Sequence, residues 1–115
     1  MNIKIFDIVQ VNFSGTIDSE QGGIRPAIVI QNNIGNQKST TTIVMPMTTK
    51  YRKLNQPTHT LIKKSVDNGL SNDSVVLAEQ IRVISKKRII KKIGKIVDES
   101  EKNEIRKIYM ANFGE

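Results

Sequence analysis

The chain has 115 residues, enough for one hydrophobic core of ordinary size and too few for two large domains. Its 18 Lys and Arg exceed its 11 Asp and Glu, and a net charge of +7 points to a polyanionic partner, either nucleic acid or an acidic protein segment. With no cysteine, a disulfide framework, a thiolate metal site and a cysteine nucleophile are all excluded.

Ile and Val together number 27 against 4 Leu, and β-branched side chains favour pleated surfaces over helices. Val9, Val11 and Phe13 alternate with Gln10, Asn12 and Ser14, the period of a half-buried strand. The polar stretch 14–23 ends in Gly22-Gly23 and predicts a loop or hairpin tip. Residues 27–30 form a continuous apolar run, as in a strand buried on both faces. Pro26 cannot donate to a ladder and is expected at that strand's first position. Residues 32–40 read as a polar turn around Gly35-Asn36, and 41–49 as a third strand holding Ile43, Val44, Met45 and Met47. A basic loop is expected over 51–57, a short strand over 58–63 and a turn at Asp67-Asn68-Gly69. Residues 75–77 and 81–84 supply another strand, bent at or continued past Gln80. The stretch Ser85-Lys86-Lys87-Arg88 would cap a short helical turn leading into residues 90–97. Asp98, with Glu101 three residues later, marks a helix N-terminus. Ile105, Ile108, Tyr109 and Phe113 then fall on one helical face, and Gly114 stands where a terminating glycine belongs. The expectation is a mainly β, α+β chain, one domain over 1–115, closed by a C-terminal α-helix.

No run of about 18 apolar residues occurs, and residues 1–7 lack an apolar signal-peptide core, so a cytoplasmic protein with no membrane association is expected. Lys86, Lys87, Arg88, Lys91, Lys92 and Lys95 crowd one decade, and Lys50, Arg52, Lys53, Lys63 and Lys64 form a second group. Each group is either a solvated face or a polyanion-binding surface. Three Phe and two Tyr are too few for a wide base-stacking platform. Asp73 and Glu79, six residues apart across a strand-like stretch, are the best carboxylate pair for a divalent cation, yet such a pair is also ordinary surface charge. No metal site and no cofactor are expected. Walker, GxGxxG and GxSxG patterns are absent. His59 is the one histidine, so acid–base pairs of two imidazoles are excluded within one chain.

The passage Ser19-Glu20-Gln21-Gly22-Gly23-Ile24-Arg25-Pro26 sets a guanidinium beside a flexible glycine pair at the start of a buried strand. A planar fork of charged donors there suits a phosphodiester. An ordinary hairpin with an arginine at its edge accounts for the same residues, and the pattern alone leaves both readings open.

Extended through Ala27-Ile28-Val29-Ile30-Gln31-Asn32, this passage resembles the signature strand and loop of the MazF/PemK toxin family, the ribosome-independent mRNA interferases. Further matches are Asn32-Asn33-Ile34-Gly35-Asn36, Thr48 at the end of the third strand, Pro57-Thr58-His59, and the block from Asp73 to Arg82. The likeness is greatest to the Gram-positive branch. It implies a small SH3-like β-barrel with an added small sheet and a C-terminal α-helix, working as a homodimer. It implies metal-independent cleavage of single-stranded mRNA at a short ACA-containing motif, giving a 2′,3′-cyclic phosphate and a 5′-hydroxyl. A cognate acidic antitoxin, MazE-like, is implied as inhibitor. By the same resemblance Arg25 and Thr48 match the catalytic positions. Ser19, Glu20, Gln21, Thr49, Lys50, Pro57, His59 and Gln80 match or adjoin the RNA-contacting ones. The sequence departs from the family where Met45-Pro46-Met47 replaces an alanine-rich strand and where Gln56 replaces a common leucine.

These residue types suit the implied reaction. When RNA is cut through its own 2′-OH, the protein has to align that hydroxyl with phosphorus and stabilise charge on the non-bridging oxygens. Arginine keeps its proton near neutrality, so Arg25 is expected to act electrostatically, with a share in protonating the leaving 5′ oxygen. His59 and Glu20 are both open as the base. Two alternatives to catalysis are carried along: a non-catalytic toxin of the same barrel that binds gyrase, and a basic module that docks an acidic partner.

Overall fold

The structure is a computed structural model that describes residues 2–17, 20–50 and 56–114. Its strands are β1 (Asp7–Asn12), β2 (Ile24–Val29), β3 (Thr41–Thr48), β4 (His59–Ile62), β5 (Ser74–Leu77), β6 (Arg82–Ser85) and β7 (Ile89–Lys95). Two α-helices join them, α1 (Asn33–Lys38) and α2 (Glu99–Met110). All ladders are antiparallel: β7-β1-β2-β3-β6 make the main sheet, and the last residues of β3 pair with β5, which pairs with β4 in a small second sheet. This is the expected mainly β chain with an added sheet and a C-terminal helix. The strand order is open among the described residues, because no ladder returns β7 to β6 or β4.

Apolar residues fill both faces of the central strands, as the unbroken runs predict. Ile8, Ile28, Met45 and Met47 belong to one cluster with Phe6, Ile62, Val76, Ile105 and Ile108. Their strand neighbours Val9, Val11, Ala27, Val29 and Val44 belong to the other, with Ile3, Phe13, Ile84 and Ile89. Alternate side chains of a strand point to opposite faces, so two cores share one sheet.

Both strand prolines occupy gaps in the ladders. Phe13 N–H donates to Gly23 O at 2.8 Å, and the two-residue period then turns the Pro26 nitrogen towards the β3 side. The β2–β3 ladder starts only at Ala27, so no bond is lost. Pro26 is thus the third residue of β2, a correction to its expected place at the start. Pro46 is similar. The Ile30 N–H to Ile43 O bond of 2.9 Å places the Pro46 nitrogen on the edge away from β2. On that edge β6 covers Thr41 to Val44 and β5 covers Met47 and Thr48, leaving position 46 between them. Here β3 passes from one sheet to the other.

Three further expectations need correcting. Residues 75–84 do not form one strand: a 3-10 turn over Ala78–Gln80 separates β5 from β6, and both pair with β3. The expected polar turn 32–40 contains α1, capped by Asn32, whose side chain accepts the Gly35 N–H at 2.8 Å. Its buried Asn36 receives the Thr42 hydroxyl at 2.7 Å and donates to Gln31 O at 2.8 Å. On α2, Ile105 and Ile108 are buried as expected, but Tyr109 is exposed and Phe113 is 73% exposed in a 3-10 turn beyond the helix. Their rings meet edge to face at 6.1 Å. Asp98 caps α2 by accepting Ser100 N–H at 2.9 Å, and Gly114, at φ +80°, ends the following turn.

The turn at Asp67-Asn68-Gly69 crosses β7 closely. Gly69 has φ +67°, and a Cβ there would lie 1.9 Å from Ile93 O. No helix among the described residues is long and apolar enough to cross a membrane.

Candidate nucleic-acid interface

Three adjoining hollows run across the junction of the two sheets. The central one, about 370 Å³, is lined by Gln21, Ile24, Arg25, Pro26, Met47, Thr48, Thr49, Lys50 and Ser74. A second, about 530 Å³, shares Gln21 and continues over Glu20, Pro46, Glu79, Gln80 and Arg82. The third, about 470 Å³, shares Thr49 and adds Lys64, Asn72 and Asp73. The lining is a groove rather than a closed cavity, and its cations are spread along it.

Arg25 reaches the central hollow from β2. Its Nε donates to Gly22 O at 2.8 Å, so the glycine loop anchors the guanidinium by one nitrogen. Among the described residues the terminal nitrogens have no protein partner. Thr48 closes β3 and lines the same hollow, where β3 pairs with β5. Its nearly buried Oγ1 accepts the Lys50 N–H at 3.0 Å, which folds the chain so that Thr49 and Lys50 line the same hollow. The same hydroxyl donates only a long bond, 3.5 Å, to Lys50 O, so its proton can turn to a better acceptor.

The second hollow gathers Glu20, Gln21 and Gln80. Gln80 Oε1 receives the Gln21 N–H at 3.4 Å, linking the glycine loop to the 3-10 turn. Glu20 Oε1 is taken by the Ile17 N–H at 2.6 Å. Arg82 lies over the Phe13 ring, 5.3 Å from its centre.

His59 and Pro57 line none of these hollows. Pro57 is exposed. His59 begins β4, and its Nε2 lies 2.9 Å from Glu79 Oε2, so it touches the second hollow through Glu79. Neither His59 nor Glu20 lines the central hollow with Arg25 and Thr48. Ser19 lies outside the described residues, as do Arg52 and Lys53 and the rest of 51–55.

Glu79 is subject to opposing effects. Burial pushes its carboxyl up, but hydrogen bonds from His59, its own backbone N–H and Thr58, with the charge of His59, outweigh that and hold it below the ordinary range. Asp73 accepts the Lys64 N–H at 2.8 Å in a different hollow. Both acids fall outside β5, so they do not share a strand face. No group of three or more His, Cys, Asp or Glu able to hold a metal ion occurs among the described residues.

Half of the basic cluster over 86–95 is built into the fold. Lys86 Nζ bonds Asn36 O, Arg88 Nη1 bonds Asn12 O and Ser14 O at 3.1 Å each, and Lys92 pairs with buried Asp7 at 3.1 Å. None of the six lines the groove. Arg82, which does, stood in the sequence beside Gln80 without a signal of its own, and only the turn at 78–80 brings it there.

A small antiparallel sheet joined to a second one, with an anchored arginine facing a threonine across an open groove, defines a class of compact β-rich proteins suited to a polyanion. The sequence model for the PemK-like, MazF-like toxin of type II toxin–antitoxin systems matches residues 4–112. The protein named endoribonuclease EndoA of Bacillus subtilis (strain 168) is 44% identical over 99 residues, spanning 86% of this chain and 84% of that one. The crystal structure of MazF (Form-I) from Deinococcus radiodurans superposes with a TM-score of 0.82 at 22% identity, over 100% of this chain and 99% of the other. An endoribonuclease from a mycobacterial species, solved in complex with its cognate antitoxin, gives 0.77 at 19% identity, over 97% and 95%. The chain belongs to the PemK/MazF toxin family, and it is an endoribonuclease.

Proposed function

We propose that this toxin cuts single-stranded mRNA within a short ACA-containing sequence, without a metal ion, by attack of the ribose 2′-OH on the adjacent phosphorus. The observation that carries this reading is the meeting of Arg25 and Thr48 across one hollow of the groove. As the P–O5′ bond breaks, charge gathers on the non-bridging oxygens. The terminal nitrogens of Arg25 and the Thr48 hydroxyl, once its long bond to Lys50 O is released, would stabilise that charge, and an arginine held at Nε loses little freedom when it binds. The products are a 2′,3′-cyclic phosphate and a 5′-hydroxyl, with the 2′ proton lost and one gained at the 5′ oxygen. Splayed bases expose edges that short polar side chains read, and Glu20, Gln21, Thr49 and Gln80 supply such groups along the groove. Pro57, His59 and Ser19 join them by resemblance, and Lys50 holds the RNA backbone.

The chain acts as a single toxin domain in the cytoplasm, as a homodimer whose second copy lengthens the RNA track. A cognate antitoxin with an acidic segment inhibits it by covering the basic groove. The relative solved with its antitoxin supports that partner class. The test is to incubate a long natural RNA with pure protein in EDTA and map every cut. Cuts confined to one short motif, each leaving a cyclic phosphate, are expected. RNA left whole by a molar excess of protein would refute catalysis and favour a binding module.

A further inference from the structure

Glu79 lines the hollow that holds Glu20, Gln21 and Gln80, and the proposed reaction gives it no part. Both of its carboxylate oxygens are gripped by consecutive residues. Thr58 Oγ1 donates to Oε1 at 2.9 Å, and His59 Nε2 lies 2.9 Å from Oε2. The carboxylate sits in the 3-10 turn Ala78–Gln80, which has no side-chain cap and closes on the Ile81 N–H to Ala78 O bond of 3.2 Å. One such turn is weak alone. Ala78 N–H to Thr58 O and Asn112 Nδ2 to Ala78 O, at 2.9 and 3.0 Å, hold only its first residue. The Glu79 clamp holds its middle, and the next residue is Gln80, which meets Gln21.

The protonation pattern follows from the same contacts. An ionised carboxylate only accepts, so His59 carries its proton on Nε2. Its Nδ1 is buried without a partner among the described residues. His59 is thereby set as a donor to Glu79.

We infer that Glu79 is a positioning residue for RNA recognition: by clamping Thr58 and His59 it fixes the turn that presents Gln80, with Gln21, to one base of the substrate. The inference rests on the RNA-cutting activity proposed above and goes beyond it by assigning selectivity to a residue that need not touch RNA.

The experiment uses the full chain and a panel of RNA oligonucleotides, each differing by one nucleotide around a mapped cut. Glu79→Ala is expected to raise KM on the best substrate about tenfold, the worth of one lost polar contact, with kcat nearly kept. Discrimination is expected to relax at one nucleotide position and hold at the others. Glu79→Gln, which keeps an acceptor for Thr58 and the side-chain volume, should fall between, and it serves if the alanine variant melts early. Selectivity and KM unchanged in either folded variant would overturn the inference, as would an equal loss at every position, the mark of a merely structural role. An inactive wild type would instead refute the proposed function.

Discussion

Replacing Arg25 with alanine removes the one guanidinium that lines the central hollow among the described residues. Its Nε is already committed to Gly22 O at 2.8 Å, so what a phosphate can receive is the terminal pair. Two charge-assisted hydrogen bonds at about 1.5–3 kcal/mol each sum to roughly 3–6 kcal/mol of transition-state stabilisation. At about 1.4 kcal/mol per factor of ten, kcat/KM should drop by roughly 10²–10⁴. Arg25→Lys should recover only a small part, since one ammonium cannot hold Gly22 O and also present a fork. The assay is single-turnover cleavage of a fluorophore–quencher RNA in EDTA, with thermal melting run beside it. Arg25 is half-buried at the loop end of β2, and the core clusters lack it, so melting should change little. A folded Arg25→Ala protein that keeps more than about a tenth of the wild-type rate, a deficit under about 1.4 kcal/mol, would refute the electrostatic role.

Thr48→Val should keep the β3–β5 pairing but lose the hydroxyl donor, slowing cleavage by about tenfold or more in the same assay. Binding to an uncleavable RNA should weaken with salt: Arg25, Lys50, Lys64 and Arg82 line the groove, which gives a log–log slope near −3 if each meets one phosphate of a single strand. Gly69→Ala should cost more than about 2 kcal/mol, because φ is positive and Ile93 O occupies the Cβ position; calorimetry should show melting roughly 10 °C lower. Glu79 is held below its ordinary value of 4.5, so its ionised form stabilises the fold at neutral pH and the benefit fades as pH falls through the lowered value. Melting of wild type and Glu79→Gln, followed by circular dichroism, should therefore differ at pH 7 and converge under strong acid.

Much of this architecture was legible in the sequence because it depends on local rules. The unbroken run at 27–30 gave a strand between two cores, and Asp98 followed by Glu101 gave the start of α2. What escaped depends on distant partners. Helix α1 has no apolar period, since Asn36 is its buried residue and is satisfied by Gln31 and Thr42. Val75 and Ile84 look like parts of one strand until the ladder of β3 is seen to change partner at Pro46. Tyr109 and Phe113 obey helical spacing, but the helix ends at Met110 and the apolar face does not extend to them. At the groove, resemblance named Arg25 and Thr48, while neither their shared hollow nor the Gly22 anchor could be read from spacing. Lys86, Arg88 and Lys92 form part of a charge run in sequence but bond carbonyls and a buried carboxylate in the fold. Composition counts cations without saying which are already engaged.

The central claim is that the RNA supplies its own nucleophile while the protein stabilises the phosphate. Its most direct test is an oligonucleotide carrying a single 2′-deoxy sugar at the scissile nucleotide. This strand should bind wild-type protein as the all-ribose strand does and remain uncut in EDTA, while the all-ribose strand is cleaved to a cyclic phosphate. Cleavage of the deoxy-substituted strand at that same bond would contradict the account.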